Sequence, residues 1–289
     1  MLSKQKIDLH IHTCFSDGGL SPAEIFGCLH KNKVKTISIT DHNNIDAYAT
    51  LKEINTYGIK IIIGMEVDVC FGKNIYHILM YNFDPQNPYF LQYIDNSKTH
   101  DKIEFLKMID KLKSKFDLQF KDEQIADFVC KNQYFDKVRL NNFLVECGIC
   151  QTPQQAFYDY TKDIADKTKY CIFAQEFFDL ASKCGATTSL AHPHKYLRFL
   201  GDEKHLKIVI LRMQQMGLDA IEVYNNRQDK TQQKQLKKFA IKNNFLITGG
   251  SDFHQKIGQT ETKNFAKVLN KTLTQSKISK KIYQNSENT

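Results

Sequence analysis

The sequence predicts an α/β fold in which strands and helices alternate to form a parallel sheet or barrel, interrupted by a helical insertion. Three observations predict it: short apolar, β-branched runs recur along the chain, helical patterns with capping signals lie between them, and one long stretch has helical patterns alone. The 289 residues, 42% hydrophobic and 25% charged, are typical of a globular protein with a substantial core. We expect one domain with an insertion.

Seven short runs have the composition of β-strands, because apolar and β-branched residues dominate them and turn residues lie between them. They are residues 7–12, 36–40, 60–69, 75–81, 186–191, 219–224 and 245–249. The repeated order of strand, helix and strand predicts parallel pairing, because parallel neighbours need a crossover between them.

Helix signals follow several of these strands. Ser21-Pro-Ala-Glu24 is a capping box with proline at the first helical position, so we expect a helix after the first strand. Three further helical patterns each end at a glycine that is suited to a C-cap. They are residues 45–57 before Gly58, 177–184 before Gly185, and 206–216 before Gly217.

Residues 88–169 break the alternation, because helical patterns recur there without convincing strands, and Thr152-Pro-Gln-Gln155 is a second capping box. We therefore expect a barrel formed by residues 1–87 and 170–262, with the helical insertion at 88–169. The polar tail, 263–289, has few apolar anchors, so we expect it to be loosely held. The anchors are Val268, Leu269, Ile278 and Ile282.

Composition limits the classes of function. The net charge of +8 favours weak attraction to anionic partners such as nucleotides or RNA, although solubility explains it equally well. The sequence has no stretch of 18 apolar residues and no apolar leader. We therefore expect neither a membrane span nor secretion, and no obligate protein partner is evident.

The eight cysteines are scattered, and the single CxxC spacing, from Cys147 to Cys150, has no second pair. Gly148 within it favours a helix end over a zinc or redox site. We expect reduced thiols and a cytoplasmic location.

The first strand carries the strongest chemical signal. Its period-two alternation places Asp8, His10 and His12 on one face, and the following turn returns a carboxylate, Asp17, toward the same point. Two imidazoles in this arrangement can share a metal ion. Alone, the pattern is only suggestive.

Later strands carry potential ligands at corresponding places, and this recurrence strengthens the prediction of a metal site. These residues are Asp41 with His42, Glu66, His77, His192, Glu222, and Asp252 with His254. The carboxyl ends of the strands of a βα barrel meet on one face, so residues that are distant in sequence become neighbours there. A single histidine such as His77 is more often a core residue, but so many ionisable groups together need a compensating cation.

Nitrogen and carboxylate ligands without thiolates favour Mn²⁺, Fe²⁺ or Zn²⁺ in an open site. The potential ligands outnumber those of one ion, so we expect two or three divalent ions. Such a cluster lowers the pKa of a bridging water, generates hydroxide and neutralises charge on a phosphoryl group. The predicted chemistry is hydrolysis of a phosphate ester.

The ordered motifs D-L-H-I-H, S-D-G, T-D-H-N, G-M-E, His77, A-H-P, I-E-V and S-D-F-H resemble the PHP (polymerase and histidinol phosphatase) family. The resemblance implies a distorted seven-stranded (β/α) TIM-like barrel that binds up to three divalent ions, often manganese. It also implies the following ligands: His10, His12, Asp17, His42, Glu66, His77, His192, Asp252 and His254.

Within this family the chain resembles the branch of 3',5'-nucleotide bisphosphate phosphatases and 5'-to-3' exoribonucleases that act on short 5'-phosphorylated RNA. The resemblance implies a small phosphorylated substrate, which an arginine of the insertion binds, and Arg139 matches that arginine. Asn141 stands where the branch has a histidine, which leaves the preferred substrate open. Arg139 can also be read as a surface residue at the start of a helix. Further predicted substrate-binding residues are Tyr196, Arg198 and Ser251.

We expect Glu66, His192 and Asp252 to be the catalytic residues. Whether His192, Asp252 or a metal-bound water protonates the leaving group stays open. The first alternative function is an L-histidinol-phosphate phosphatase, which the size of the insertion disfavours. The second is a non-catalytic PHP scaffold module, which the complete ligand set disfavours.

Overall fold

The structure is a computed structural model, and it describes residues 5–132, 134–164, 170–254 and residue 282. The chain divides into two compact units. The first, here called the strand unit, comprises Met1–Phe90 and Cys171–Thr289, and the second, the helical unit, comprises Leu91–Tyr170. The helical unit covers nearly the same residues as the insertion predicted at 88–169.

The strand unit contains all strands of the described residues: β1 (Lys6–Ile11), β2 (Val34–Ile39), β3 (Lys60–Ile61), β4 (Gly64–Phe71), β5 (Asn74–Tyr81), β6 (Ile172–Phe173), β7 (Thr187–Leu190), β8 (Ala220–Asn225) and β9 (Leu246–Gly250). They form two sheets, with strand orders β1-β2-β3 and β6-β4-β5-β7-β8-β9.

The described helices are α1 (Pro22–Lys31), α2 (Pro88–Phe116), α3 (Asp122–Lys131), α4 (Lys137–Glu146), α5 (Pro153–Ala156), α6 (Ala174–Lys183), α7 (Leu197–Leu200), α8 (Glu203–Met216) and α9 (Lys230–Lys242). Two 3₁₀ helices span Asp46–Lys52 and Pro193–Tyr196, and a π-helix spans Phe157–Thr161. Capping at Ser21 confirms the predicted start of α1, and α6 and α8 confirm the helices predicted before Gly185 and Gly217.

The prediction of purely parallel pairing is wrong for one strand. β5 runs antiparallel to both β4 and β7, whereas the pairs β1-β2, β7-β8 and β8-β9 are parallel as predicted. Only Gly72 and Lys73 connect β4 to β5, and two residues suffice for a hairpin but not for a crossover. Gly72 has a positive φ of 63°, which such a tight turn favours.

Isolated bridges join the two sheets near the carboxyl ends of β1, β2 and β9 and near the start of β4. Ile11 pairs with Phe253, and His42 pairs with Glu66. The backbone N–H of Asp252 also donates a hydrogen bond to the carbonyl of His10, at 2.9 Å. These bridges bring the ends of β1, β2, β4 and β9 together. The described strands do not form a closed barrel, so the seven-stranded barrel stays a prediction.

Three local predictions need correction. The strand predicted at 60–69 is divided into β3 and β4, and the short β6 was not predicted. The helix predicted at 45–57 is a 3₁₀ helix that ends at Lys52, because its N-cap, Ile45, offers no side-chain hydrogen bond and asparagine and threonine follow. The capping box at Thr152 forms by half: Thr152 accepts from the Gln155 N–H, but the Gln155 side chain accepts from Gln151 instead.

Each unit has its own apolar core. In the strand unit, α1 packs Ile25, Phe26 and Leu29 against Ile37 and Ile39 of β2. The core of the helical unit combines aliphatic and phenylalanine side chains and gathers residues from α2, α3 and α4. They include Phe105, Met108, Ile109, Leu112, Phe128, Leu140, Phe143 and Leu144. The helical patterns of the sequence therefore correspond to buried faces.

One pair of cysteines contradicts the prediction of reduced thiols. Cys70 in β4 and Cys171, just before β6, form a disulfide with Cα atoms 5.7 Å apart. Parallel pairing of Cys70 with Phe173 brings the two segments together, although 101 residues separate the cysteines in sequence. The prediction is therefore wrong for these two residues.

Replacing Cys70 by serine is expected to lower the free energy of unfolding by about 3–5 kcal/mol, because a cross-link over 101 residues restricts the unfolded chain. Urea unfolding without reductant measures the change. Cys130→Ser, at an exposed cysteine outside the disulfide, is the control, and we expect it to unfold like the wild type. Equal stability of both variants would show that the cross-link does not contribute.

No helix in the described part of the chain is long and apolar enough to cross a bilayer.

The predicted tail lies outside the described residues, except for Ile282. This side chain is buried, and its carbonyl accepts a hydrogen bond from the amide of Asn82.

Candidate metal centre

The two histidines of β1 face each other in the interior. His10 and His12 are fully buried, and their Nε2 atoms lie 3.1 Å apart. Leu9 and Ile11, on the other face of the strand, are core residues, as the alternation predicts. Gly250 lies directly against this strand, because a Cβ atom there would approach the Cβ of His10 to 2.2 Å.

Glu66 of β4 lies at the centre of the histidines. Its Oε2 is 3.0 Å from His12 Nε2, 3.3 Å from His10 Nε2 and 3.4 Å from His42 Nε2. Its Oε1 is 3.0 Å from His77 Nδ1 and 3.1 Å from His192 Nε2. One carboxylate therefore contacts imidazoles from β1, β5 and the segments after β2 and β7.

A second carboxylate, Asp17, approaches from the turn after β1. Its Oδ1 lies 3.1 Å from His254 Nε2 and 3.3 Å from His12 Nδ1, and its Oδ2 lies 3.8 Å from His42 Nε2. The turn needs Gly18, because a Cβ there would lie 2.5 Å from the carbonyl oxygen of His12. The position of Asp17 is thus fixed by a close approach of two backbone segments.

Asp252, just after β9, places its two oxygens in different surroundings. Oδ1 lies 3.4 Å from His10 Nε2, 3.6 Å from His12 Nε2 and 3.4 Å from His254 Nδ1. Oδ2 accepts a hydrogen bond of 2.8 Å from Nε of Arg227. The carboxylate therefore lies between the histidines and a partly exposed guanidinium.

Three residues beside the donor atoms, each a short distance after a strand, adopt the left-handed backbone conformation that favours glycine. Their φ angles are 30° for His192, 45° for Asn43 and 53° for Asp252. Such conformations are costly for residues with a Cβ and persist where the surroundings impose them, often at functional sites. Here they turn the His192 and Asp252 side chains toward Glu66 and His10.

The donor atoms form three overlapping groups, in each of which all atoms lie within 4.8 Å of one another. The groups are His12, Asp17, His42 and His254; His10, His12, Glu66 and Asp252; and His42, Glu66 and His77. His12, His42 and Glu66 each belong to two groups. Nitrogen and oxygen donors at this density suit first-row divalent ions.

The hydrogen bonding of His10 tests whether these residues fit a cation. Its Nδ1 faces Oε1 of Glu222 at 3.0 Å, so a neutral ring carries its proton on Nδ1 and its lone pair on Nε2. That lone pair points at His12 Nε2, with carboxylates of Glu66 and Asp252 beside it. Facing nitrogens flanked by carboxylates fit a divalent ion between them.

The carboxylates and imidazoles shift one another's pKa values. Burial lowers the pKa of His10, but neighbouring carboxylates, led by Glu66, outweigh it and raise this pKa well above its usual value. Burial is likewise outweighed at His12, where Asp17 and Glu66 raise the pKa to about 10. Burial raises the pKa of Glu66, but the surrounding histidines lower it well below its usual range. At His192 burial dominates and lowers the pKa to about 3. The cluster thus keeps its central carboxylate ionised.

Three supporting residues, Glu222, Asp41 and Asp68, lie outside the ligand set that the family resemblance implies, although Asp41 and Glu222 were among the potential ligands at the strand ends. Glu222 also accepts a hydrogen bond of 2.6 Å from the backbone N–H of His192, so it orients two histidines at once. Asp68 lies 3.5 Å from His77 Nε2, and Asp41 accepts from both the N–H and the hydroxyl of Thr13. Asp68 lies two residues beyond Glu66 on the same face of β4, so the alternation of the strand already indicated it.

The predicted substrate-binding residues are spread over both units. In the strand unit, Tyr196 is buried and its hydroxyl accepts from the His77 N–H at 2.8 Å, whereas Arg198 is exposed. The N–H of Ser251 donates to Asp8. Arg139 and Asn141 belong to α4 of the helical unit. Asn141 is buried and accepts a hydrogen bond of 2.6 Å from the Thr161 hydroxyl.

Comparison with known proteins identifies relatives over most of the chain. The family model of the PHP domain matches residues 8–247. The 5'-3' exoribonuclease Rnm of Escherichia coli (strain K12) is 28% identical over 256 residues, which are 86% of this chain and 85% of that protein. A 5'-3' exoribonuclease of Haemophilus influenzae is 26% identical over 269 residues, 89% of this chain and 93% of that protein. A 3',5'-nucleoside bisphosphate phosphatase of Chromobacterium violaceum is 32% identical over 83 residues, 28% of this chain and 29% of that protein.

Solved structures share the fold. A structure from Bifidobacterium adolescentis, assigned as a metal-dependent phosphoesterase, superposes with a TM-score of 0.73 at 22% identity and covers 95% of this chain and 94% of its own. An amidohydrolase from Chromobacterium violaceum superposes with a TM-score of 0.68 at 19% identity, with 88% and 89% of the two chains covered.

The family match and the names of these relatives confirm the predicted class, a metal-dependent phosphoesterase, and therefore an enzyme. They do not favour the histidinol-phosphate phosphatase alternative. Because the family model covers most of the 289 residues, the protein belongs to the PHP domain family.

Proposed function

We propose that the protein hydrolyses phosphate esters of nucleotides: 3',5'-nucleoside bisphosphates, or short RNA or DNA with a 5'-phosphate. The observation that carries this proposal is the set of three overlapping donor groups around Glu66. The names of the relatives, exoribonuclease and nucleoside bisphosphate phosphatase, support the substrate class.

Two or three divalent ions, with Mn²⁺ foremost and Fe²⁺ or Zn²⁺ as alternatives, would be held by the residues of these groups and by His192. The proposed ligands are His10, His12, Asp17, His42, Glu66, His77, His192, Asp252 and His254. When bound, the ions supply a nucleophile from water near neutral pH and offset the negative charge of the phosphoryl group.

Glu222 and Glu66 orient the side chains that would bind the ions. Glu222 keeps the proton of His10 on Nδ1, so that Nε2 is available as a ligand, and fixes the backbone of His192. Glu66 holds donors of several strands at short distances from one another. His192 and Asp252 lie beside it and are the proposed groups for delivering a proton to the leaving oxygen.

A substrate panel tests the proposal. Purified protein loaded with Mn²⁺ is expected to release phosphate from a nucleoside 3',5'-bisphosphate, or mononucleotides from short 5'-phosphorylated RNA. Histidinol phosphate in the same assay is the comparison substrate, and we expect it to be the poorer one. Absence of turnover of both nucleotide classes, in protein shown to contain the ions, would contradict the proposal.

Arg139 is proposed to bind a substrate phosphate, with Asn141, Tyr196, Arg198 and Ser251 as further substrate-binding residues. Arg139→Ala is expected to lower kcat/KM for substrates with a 5'-phosphate about 10- to 100-fold, the loss of one or two hydrogen bonds to a charged group. Metal content should be unchanged. RNA with a 5'-hydroxyl is the control substrate, and an equal loss on it would contradict a contact with the 5'-phosphate.

We further propose that the strand unit is a distorted seven-stranded barrel, that the helical insertion contributes to substrate binding, and that the protein acts in the cytoplasm. The bridges between the two sheets support the barrel. The resemblance of the chain to the PHP family supports the role of the insertion in substrate binding.

A further inference from the structure

We propose that Arg227 and Lys195 form a binding site for the phosphoryl group that is hydrolysed, on the rim of the metal centre in the strand unit. The ligand is a phosphate monoester dianion or the inorganic phosphate that it releases. This inference rests on the proposed function and adds two residues to it. Neither was among the predicted site residues.

The position of Arg227 is set by two hydrogen bonds. Its backbone N–H donates to the Asn225 side chain at 2.9 Å, just after β8, and its Nε donates to Oδ2 of Asp252 at 2.8 Å. The other oxygen of that carboxylate faces His10 and His12. A single carboxylate group therefore separates the guanidinium from the central donor group.

The guanidinium of Arg227 retains hydrogen-bonding capacity toward a ligand. Its side chain is 52% exposed and, among the described residues, makes no hydrogen bond other than that of Nε with Asp252. Guanidinium N–H groups donate in a fixed fork that matches two oxygens of a phosphate. Arg227 can thus hold Asp252 and a phosphoryl oxygen together.

Lys195 adds a second cation at the same rim. It lies three residues after His192, and its backbone N–H donates to the His192 carbonyl at 2.9 Å. The ammonium has no ion pair within the described residues. The side chain of Lys195 is half-buried. A half-buried ammonium in the segment that carries His192 adds positive charge beside the metal centre, and this charge attracts an anionic ligand.

The contact with Asp252 indicates that the bound phosphate is the one that is hydrolysed, and not a second phosphate of the substrate. Arg227 donates a hydrogen bond to Asp252, which belongs to the donor cluster itself. Its remaining N–H groups can therefore contact the oxygens of a phosphoryl group that is bound at that cluster. A phosphoryl group undergoing transfer carries charge on its non-bridging oxygens, which cationic donors stabilise. A more distant second phosphate of the substrate would need cations farther from Asp252.

Arg227→Met, Arg227→Lys and Lys195→Met test the site, with Arg212→Met, at an exposed arginine of α8, as the control. Each protein is loaded with Mn²⁺, its metal content is measured, and its affinity for inorganic phosphate is determined by calorimetry. For Arg227→Met we expect unchanged metal content, a Kd for phosphate raised at least tenfold, and kcat/KM lowered about 100-fold. Lys195→Met should raise the Kd several-fold, Arg227→Lys should be intermediate, and the control should match wild type.

Chemical rescue separates direct contact from support of Asp252. Methylguanidinium is expected to restore part of the phosphate affinity of Arg227→Ala, because it can occupy the vacated space. Unchanged phosphate affinity in Arg227→Met would overturn the proposal, and so would loss of metal content, which would make Arg227 a positioning residue for Asp252. A raised KM for bisphosphates alone, with normal phosphate affinity, would also overturn it. If the wild type turns over no phosphate ester but its phosphate affinity depends on Arg227, the site stands and the proposed function fails.

Discussion

Glu66→Gln is expected to lower kcat/KM on the order of 1000-fold and to remove at least one of the proposed ions. The carboxylate of Glu66 contacts five histidines and belongs to two of the three donor groups. An amide of nearly the same shape offers one oxygen in place of two and no charge. Metal analysis of the loaded protein and steady-state kinetics measure the two effects.

Asp68→Asn is the matched control for Glu66→Gln, since it makes the same chemical change two residues along the same strand. Asp68 contacts His77 and His42 but belongs to none of the three donor groups. We expect its metal content to be kept and its kcat/KM to fall about 10- to 100-fold, as for residues that orient ligands. Equal effects of both substitutions would contradict the central role of Glu66.

Gly250→Ala is expected to destabilise the fold by about 3 kcal/mol or more and to abolish metal binding. The added Cβ would approach the Cβ of His10 to 2.2 Å and its backbone nitrogen to 2.6 Å. Relief requires β9 and β1 to separate, because the obstructing atoms are the Cβ and backbone of His10 and not the end of a flexible side chain. His10 and Asp252 would then move apart. Thermal unfolding and metal analysis measure both consequences.

Gly27→Ala is the control for this substitution. Gly27 lies in α1, and a Cβ there would meet no atom within 4 Å. Alanine in a helix interior is favoured over glycine, so this variant should be more stable by roughly 0.5–1 kcal/mol. A Gly250→Ala protein as stable as Gly27→Ala would show that β1 and β9 do not approach so closely.

Much of the candidate site could be predicted, because the relevant signals are local. Period two in β1 placed His10 and His12 together, and the rule that carboxyl ends of parallel strands meet gathered His42, His192 and His254. His77 does not follow that rule, because it lies within the antiparallel β5. Asp68 could have been predicted by the same alternation. Glu222 was recognised within a motif, but its contact with His10 depends on tertiary structure.

Other features depend on contacts that sequence patterns do not contain. The direction of β5 could have been inferred from the two residues before it, since Gly72-Lys73 is hairpin length. The pairing of Cys70 with Cys171 could not have been inferred, because the spacing of eight cysteines does not determine which of them form a disulfide. The role of Arg227 rests on a loop conformation, and the left-handed backbones of His192 and Asp252 have no sequence signature without glycine.

The left-handed residues beside the donor atoms have a consequence for the abundance of the protein. Asn43, His192 and Asp252 each store about 1–3 kcal/mol of backbone strain. Ions that bind the folded state alone offset this cost by mass action. When divalent ions are scarce, more molecules unfold and are exposed to proteases. The supply of divalent ions would then govern how long each molecule survives in the cell, as well as how fast it works.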